Sequence, residues 1–453
     1  MRKMVPESEE KVDIMTEFPG DLVMLTWTDY VGIARSRPVP RNTLSDRMKY
    51  GQGWAKAGQA LTPFEDIAEN PWGPVAEVRQ VPDPTTELRL DHWADTPAFH
   101  LILCDSINQD GSVWDCCARG ALKKILDIYQ SELGLTVQST FEQELVYSAA
   151  DFTPGTPFSV NALRAAAHYA AQVTEALNLA GIEPLAFEPE YGVGQMEYSC
   201  KPVKGISGAD RAVIAREIVR EVARLSGGKA TLSPKPAPDA VGNGTHIHLS
   251  FLDNRGKPAL YDKDREGEVS ELGGHFAAGV IRHIDSILAF TAPSPVSYLR
   301  LVPHHWAAGY NVYGLQNREA ALRICPSPER NISKRGNGLN FEFRPADVTA
   351  NPYLSLAALL HAGLEGIREK LEPPEMVNSE PDDISKSEKK RLGLKRLPRS
   401  LDETLTALKK DKKAMNWFPV ELTESYISVK LAEIALATDE DDAATCERYR
   451  NAY

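Results

Sequence analysis

The chain has 453 residues, of which 42% are hydrophobic and 25% charged, and its formal net charge at pH 7 is −12. This length supports a large hydrophobic core and predicts two domains. The acidic balance argues against nucleic-acid binding, because a phosphate backbone would be repelled, and no apolar run approaches the roughly 20 residues of a membrane-spanning helix.

Targeting signals and cysteine usage predict a cytoplasmic protein. Residues 1–18 lack the apolar stretch of a signal peptide. The six cysteines form no CxxC pair, so neither a disulfide framework nor a zinc site is predicted.

The first predicted elements are two short strands around a turn at residues 21–40. An apolar run at 99–105 precedes a turn at 110–113, and residues 118–134 fit an amphipathic helix that Gly134 ends.

Beyond this helix, long amphipathic helices such as the one within 209–228 alternate with short strands. We therefore predict an α+β protein with a smaller β-rich domain at 1–118 and a larger domain at 119–453. Residues 372–400 are rich in proline and charge and are predicted to form a surface loop.

A polar face is predicted on the strand GNGTHIHLS, residues 242–250. Side chains alternate along a strand, so His246, His248 and Ser250 share one face while apolar side chains take the other. Alone, this pattern is equally typical of a half-exposed strand with incidental histidines.

The same alternation recurs in three other segments. Glu142 and Glu144 share a strand face, Glu342 shares one with Arg344, and a glycine-containing segment joins two further carboxylates, Glu190 and Glu197. Together they predict a sheet with one face lined by carboxylates, imidazoles and an arginine. Clustered carboxylates repel unless a cation lies among them, and oxygen-rich sites with an imidazole suit Mg²⁺ or Mn²⁺ better than zinc.

Three arginines, Arg300, Arg318 and Arg323, interrupt the mostly apolar residues 297–328. Arginine binds carboxylates and phosphates through a two-pronged fork, although ordinary surface salt bridges are the alternative. Arginines beside a metal-binding sheet favour phosphoryl transfer with an anionic substrate.

Seven motifs in order resemble the glutamine synthetase superfamily. They are ExE at 142–144, ExxxGQxE at 190–197, PKP at 234–236, GNGxHxHLS at 242–250, SYxRLVP at 297–303, NRxAxxRI at 317–324, and ExRxxDxxANPYLxLAALLxAGLxGI at 342–367. The resemblance implies a β-grasp N-terminal domain and a catalytic domain with a curved antiparallel sheet. It also implies ring-shaped homo-oligomers, usually dodecamers of two hexamers, with active sites between neighbouring subunits.

The resemblance also implies roles, matched position by position. Glu144, Glu190 and Glu197 would hold a metal ion facing the acyl substrate, and Glu142, His246 and Glu342 a second ion facing the nucleotide. Arg300, Arg344 and the Gly242 backbone would bind glutamate, Arg318 and Arg323 would contact the transferring phosphate, and His248 and Ser250 would lie on the ATP side. Mg²⁺ or Mn²⁺ would be the cofactor, and ATP would convert the γ-carboxylate of glutamate into an acyl phosphate that an amine captures.

The amine half departs from the family pattern. Glutamine synthetases proper carry a glutamate at the end of SYKRLVPGYE and an aspartate in FDGSS, which bind and deprotonate ammonium. Trp306 and Ala55 stand at these positions. Indole accepts no proton but packs against organic groups. An organic amine is therefore favoured, with arylamines such as aniline first because they are neutral near pH 7, and small alkylamines next. Ammonium and polyamines are the alternatives.

Other departures bear on function. Val241 stands where the family often has a substrate-binding asparagine, and Asn340 where it often has a phosphate-contacting arginine. A catalytically weak regulatory homologue is a further alternative, but such a protein would be expected to lose metal ligands, and all six positions are filled. A carboxylate substrate other than glutamate is discouraged by Arg300 and Arg344. No tyrosine lies between Tyr353 and Tyr426, so control by tyrosine adenylylation is not expected.

Overall fold

The computed structural model describes residues 21–93 and 96–453. The prediction that residues 1–18 lack a signal peptide concerns residues outside this part of the chain. Within the described residues, the strands form a small sheet of six and a large sheet of nine.

The small sheet comes from the N-terminal part of the chain. Its strands are β1 (Leu22–Thr28), β2 (Ala34–Pro40), β3 (Gln52–Ala55), β4 (Glu77–Pro82), β5 (Leu88–Leu90) and β6 (Phe99–Ile107), and helix α1 (Leu44–Tyr50) lies between β2 and β3. The order is β2-β1-β6-β4-β3, with β5 also paired to β6, and β1 runs parallel to β6. The predicted strand pair at 21–40 is confirmed as the antiparallel pair β1 and β2.

The large sheet is built around one long strand, β7 (Thr136–Ala149), which pairs with four others. The remaining strands are β8 (Pro184–Pro189), β9 (Gln195–Cys200), β10 (Val203–Lys204), β11 (Gly228–Thr231), β12 (Thr245–Leu252), β13 (Tyr313–Leu315), β14 (Leu322–Cys325) and β15 (Asn340–Phe343). The order is β13-β14-β15-β12-β7-β9-β8, with β10 and β11 also paired to β7. All these pairs are antiparallel except β13 with β14.

Helices follow in chain order between and after the strands. They are α2 (Ala118–Leu133), α3 (Val160–Ala165), α4 (Ala167–Leu179), α5 (Ser207–Leu225), α6 (Glu271–Arg282), α7 (Ile284–Thr291), α8 (Ser297–Arg300), α9 (Pro352–Glu369), α10 (Lys386–Arg391), α11 (Leu401–Lys410), α12 (Val420–Ala437) and α13 (Asp442–Ala452). The chain is α+β, as predicted.

Helices cover the apolar face of the large sheet. Tyr129 of α2 stacks on Phe251 of β12, and Phe276 of α6 contacts both Phe251 and Phe341 of β15. Burying this face against helices leaves the opposite face of the same strands for polar side chains, because side chains alternate.

The predicted helices at 118–134 and within 209–228 are confirmed as α2 and α5. Gly134 ends α2 with a φ of +64°, the left-handed conformation that glycine adopts most easily. The prediction that residues 372–400 are a loop is wrong in part, because they contain α10. Ser385 caps this helix by accepting a hydrogen bond from the Glu388 backbone N–H.

A buried group of salt bridges around Arg119 joins the small sheet to helices α2 and α5. Arg119, at the start of α2, is 3% exposed and forms salt bridges of 2.8 to 2.9 Å with Asp83 after β4, Asp105 of β6 and Asp210 of α5. The domain boundary near residue 118 stays a prediction. None of the helices within 21–93 and 96–453 combines the length and apolar character needed to span a membrane.

Candidate active site

Strand pairing gathers the predicted polar residues on one face of the large sheet. His246 of β12 lies opposite Glu142 of β7, and Glu144 lies opposite Glu197 of β9. On the other edge of β12, His248 lies opposite Glu342 of β15. Four segments distant in sequence thus present carboxylates and imidazoles to a common surface.

His246 is central to this cluster. Its Nδ1 lies 3.0 Å from Glu142 Oε1 and 3.4 Å from Glu342 Oε1, and its Nε2 lies 3.8 Å from Glu144 Oε1. His248 Nε2 lies 3.6 Å from Glu142 Oε2. Every one of these side chains offers an atom that can bind a metal ion.

Two overlapping groups have ligand atoms within 4.8 Å of one another. One consists of Glu142, His248 and Glu342, and the other of Glu142, Glu197 and His246. The division into two sets implied by the family resemblance is different, since that division places His246 with Glu342 and Glu197 with Glu190. The structure brings the same side chains together without reproducing that division.

The carboxylates repel one another, and their pKa values show it. Burial and the neighbouring Glu142 and Glu144 raise the pKa of Glu197 to about 10. Burial and Glu144 raise the pKa of Glu190, in the turn between β8 and β9, to about 7. Charged oxygens that are this unfavourable without a cation are the donors that Mg²⁺ or Mn²⁺ uses, so the residues fit a divalent metal ion.

Glu342 and Glu142 behave in the opposite way. Burial alone would raise the pKa of Glu342, but Arg344, His246, His248 and Arg323 lower it to about 2. Likewise, the nearby imidazoles of His246 and His248 outweigh burial and lower the pKa of Glu142. These two carboxylates are therefore ionised at neutral pH and available as ligands.

Two arginines form salt bridges with Glu342. Arg323 Nη1 lies 2.5 Å from Glu342 Oε2, and Arg344 Nη1 donates to Glu342 Oε1. Arg344 is 2% exposed and also donates from Nε to the Arg318 carbonyl at 2.9 Å.

Two buried guanidinium nitrogens at this site have no hydrogen-bond partner among the described residues. Arg300 Nη2 donates to the carbonyls of Pro345 and Ala346 at 2.8 Å, but its Nε has no hydrogen-bond partner among the described residues. The Nε of Arg323 also lacks a partner within the described chain. Buried donors rarely stay unpaired, so these groups mark places where a substrate carboxylate or phosphate can bind.

Trp306 lies at the edge of this site. Its backbone N–H donates to Glu319 Oε1 at 2.9 Å, and its carbonyl accepts from Arg344 Nη2 at 2.7 Å. The indole ring is 57% exposed, and its centroid is 5.9 Å from the guanidinium carbon of Arg318. Trp306 thus presents an aromatic surface beside the arginines.

The remaining predicted residues lie in different places. Gly242 packs so closely on Arg300 that an added Cβ would come within 2.5 Å of its Cγ, which explains the glycine. Ser250 is half-buried on the same face of β12 but belongs to neither metal-binding group. Ala55 is exposed at the end of β3, on the small sheet rather than the sheet that carries the cluster.

Sequence reasoning missed three residues of the site. Gln195 Nε2 donates to Glu144 Oε2 at 3.0 Å and to the Gly242 carbonyl at 2.9 Å, so it fixes both. Its position two residues before Glu197 on β9 was the available signal. Cys325 Sγ lies 3.5 Å from Glu342 Oε2, two residues after Arg323 on the same strand face. Nothing local signals Glu319, which approaches Trp306 through the fold.

Comparisons with known proteins agree with this geometry. The family model described as the glutamine synthetase catalytic domain matches residues 115–449, and that of the glutamine synthetase N-terminal domain matches residues 10–114. A gamma-glutamylpolyamine synthetase of Streptomyces coelicolor is 30% identical, covering 98% of this chain and 97% of its own, and a glutamine synthetase of Pyrococcus abyssi is 30% identical over 86% of this chain and 85% of its own.

Solved structures give the same result. A crystal structure described as a novel glutamine synthase homolog is 39% identical, with a TM-score of 0.88 and coverage of 96% of this chain and 99% of that one. A structure of GmaS without ligand is 25% identical, with a TM-score of 0.79 and coverage of 94% and 96%. The chain belongs to the glutamine synthetase family and is a carbon–nitrogen ligase of the ATP-dependent γ-glutamyl type.

Proposed function

We propose that the protein joins the γ-carboxylate of L-glutamate to an organic primary amine, through γ-glutamyl phosphate, with release of ADP and phosphate. One observation supports this most directly. The guanidinium of Arg344 contacts both Glu342 of the acidic cluster and the main chain of Trp306. The site for phosphoryl transfer and the surface for an organic group are therefore adjacent.

In this proposal the acidic cluster holds two or more Mg²⁺ or Mn²⁺ ions. The ligands are Glu142, Glu144, Glu190, Glu197, His246 and Glu342. Bound divalent ions would neutralise the phosphate oxygens of ATP while the γ-phosphoryl group is transferred.

Arginines and backbone groups position the substrates. Arg300 and Arg344, with the Gly242 backbone, bind the carboxylates of glutamate. Arg318 and Arg323 contact the transferring phosphate, and His248 and Ser250 line the ATP side. A carboxylate is a poor electrophile, so its conversion to an acyl phosphate, stabilised by these fixed cations, makes attack by an amine possible.

We expect the amine to be an organic one. Trp306 and Ala55 replace the two acids of ammonium-using enzymes, which favours an amine that is larger and more apolar than ammonium. On the sequence alone arylamines rank first and small alkylamines second. The similarity to a gamma-glutamylpolyamine synthetase supports the aliphatic candidates. Glutamine synthesis from ammonium is the alternative.

The proposal extends to assembly and location. We expect a homo-oligomer, a dodecamer of two hexameric rings, in the cytoplasm. In such a ring the small sheet of one subunit would approach the acidic cluster of its neighbour, which would place Ala55 in the neighbour's amine pocket.

Phosphate release tests the proposed function. The purified protein is mixed with glutamate, ATP and Mg²⁺, and release is compared for ammonium, aniline, isopropylamine, ethanolamine and spermidine. We expect an organic amine to give the highest kcat/KM. If ammonium were the best substrate, the role given to Trp306 and Ala55 would be wrong. No release above background with any amine would favour a regulatory homologue instead.

A further inference from the structure

Aliphatic amines present a chemical problem to this site. They are protonated at neutral pH, with pKa values near the roughly 10.4 of a lysine side chain, and only the neutral form has the lone pair that attacks a carbonyl. An enzyme that uses them needs a group that binds the cation and accepts its proton. Neither Trp306 nor Ala55 can do so.

A carboxylate nevertheless lies directly behind Trp306. Glu319 follows Arg318 in the chain and is only 5% exposed. Its Oε1 accepts the backbone N–H of Trp306 at 2.9 Å, and its Oε2 accepts no hydrogen bond from the described residues. This buried side chain therefore has one oxygen fixed and one available.

The charges that face Glu319 come from three parts of the chain. Burial raises its pKa, the Trp306 N–H opposes this, Glu380 raises it further, and His304 and Arg344 lower it. The neighbouring Arg318 is engaged with the indole ring. Glu319 is thus a stronger base than an exposed carboxylate.

Building on the function proposed above, we propose that Glu319 binds the ammonium group of an aliphatic primary amine and accepts its proton, which makes aliphatic amines rather than arylamines the substrate class. The side chain supplies, from the NRxAxxRI segment, the acid that is missing at positions 55 and 306. Trp306 then packs on the carbon chain of the amine while Glu319 holds its nitrogen.

The reaction step balances with these groups alone. The ammonium group gives one proton to Glu319, and the freed lone pair forms a C–N bond with the γ-carbonyl carbon. The C–O bond to phosphate breaks, and its electron pair leaves with the phosphate. A second proton leaves the nitrogen with the phosphate as hydrogen phosphate, and Glu319 returns its proton to water.

The test compares nucleophiles that need a base with nucleophiles that do not. Hydroxylamine and aniline are largely neutral near pH 7, whereas isopropylamine and putrescine are cations. The variant Glu319→Gln keeps an oxygen for the Trp306 N–H but cannot take a proton, and Glu380→Gln removes a nearby acid that does not contact Trp306. All three proteins are assayed for phosphate release and γ-glutamyl product, with thermal unfolding to check that each is folded.

We expect Glu319→Gln to lower kcat/KM for the alkylamines by about 10²-fold or more and to change it less than about threefold for hydroxylamine and aniline. The wild-type profile with alkylamines should lose activity as pH falls through the pKa of Glu319, and the Gln variant should lack this limb. Glu380→Gln should keep the discrimination between nucleophiles and the acid limb, with that limb shifted to lower pH because Glu380 raises the pKa of Glu319.

The outcomes separate the two proposals. Wild-type protein that forms γ-glutamyl product from none of the four nucleophiles would overturn the proposed function itself. If the wild type forms product but Glu319→Gln uses alkylamines as well as the wild type does, or loses activity equally with all nucleophiles, Glu319 is not the proton acceptor. Wild-type preference for aniline over every alkylamine would also overturn the inference.

Discussion

Replacing Glu197 by glutamine should stabilise the metal-free protein and weaken its response to metal. In the folded state the pKa of Glu197 is raised to about 10 by burial and by Glu142 and Glu144. In the unfolded chain it returns to the ordinary value of about 4.3. Between these two pKa values the folded state holds a proton that the unfolded state lacks, so stability falls as pH rises. Glutamine carries no such penalty.

The magnitude follows from the same pKa difference. Each pKa unit corresponds to about 1.4 kcal/mol, so at pH 7 the wild-type glutamate lowers the free energy of unfolding by about 3 to 4 kcal/mol as an upper limit. Unfolding entropy is about 2 cal/mol/K per residue, which makes this a shift of about 3 to 4 °C in Tm for a chain of 453 residues.

Thermal unfolding with a chelator and then with saturating Mn²⁺ measures both effects. In chelator the variant should have the higher Tm, and the difference should grow with pH. With Mn²⁺ the order should reverse, because a ligand has been lost. Glu188→Gln, an exposed carboxylate opposite Glu197 on β8, is the matched control and should shift stability by less than about 0.5 kcal/mol. A variant less stable than wild type in chelator would refute the repulsion argument.

Three other predictions concern the same structure. Mn²⁺ should raise Tm more at about pH 8 than at about pH 6, because protons compete with the metal for Glu190, whose pKa is raised to about 7. Equal Tm shifts at the two pH values would contradict this prediction. Arg344→Met should lower the free energy of unfolding by about 3 to 5 kcal/mol and raise KM for glutamate, because it leaves buried Glu342 with one arginine. Arg344→Lys keeps the charge, so its free energy of unfolding in denaturant titration should fall less. Arg119→Met should cost about 3 to 5 kcal/mol in the same titration, against less than about 1 kcal/mol for Arg224→Met, whose pair with Glu221 is exposed.

The polar face of the large sheet could be predicted because its signal is local. Burial alternates along most of β7, and the apolar neighbours of Glu142 and His246, Phe141 and Ile247, are buried. Period-two alternation therefore identified which side chains share a face, and the ordered motifs indicated that the strands are neighbours. Strand alternation alone does not determine which strand lies beside which, so the pairing of β12 with both β7 and β15 had to come from the resemblance or the structure.

Other features could have been predicted but were not. Residues 385–388 read Ser-Lys-Ser-Glu, the start signature of a capped helix, inside the segment predicted to be a loop. The loop prediction relied on the charge and proline content of residues 372–400 and did not consider this capping motif.

The position of Glu319 is different, because no local pattern predicts it. Glu319 contacts Trp306, and Trp306 lies in a segment whose backbone takes positive φ at His304, Trp306 and Ala308. None of these residues is a glycine, so the usual signal for such a conformation is missing. Hydrogen bonds of the Trp306 main chain with Glu319 and Arg344 stabilise this backbone conformation.

The way in which Trp306 is held has a consequence for evolution. Glu319 and Arg344 hydrogen-bond to its amide N–H and its carbonyl, and every residue except proline has both groups. Neither of these hydrogen bonds involves the indole ring. A mutation at position 306 can therefore change the side chain that lines the proposed amine pocket, while both main-chain hydrogen bonds persist. Relatives with new acceptor preferences could arise by one substitution here, limited mainly by the left-handed backbone, which disfavours valine, isoleucine and threonine.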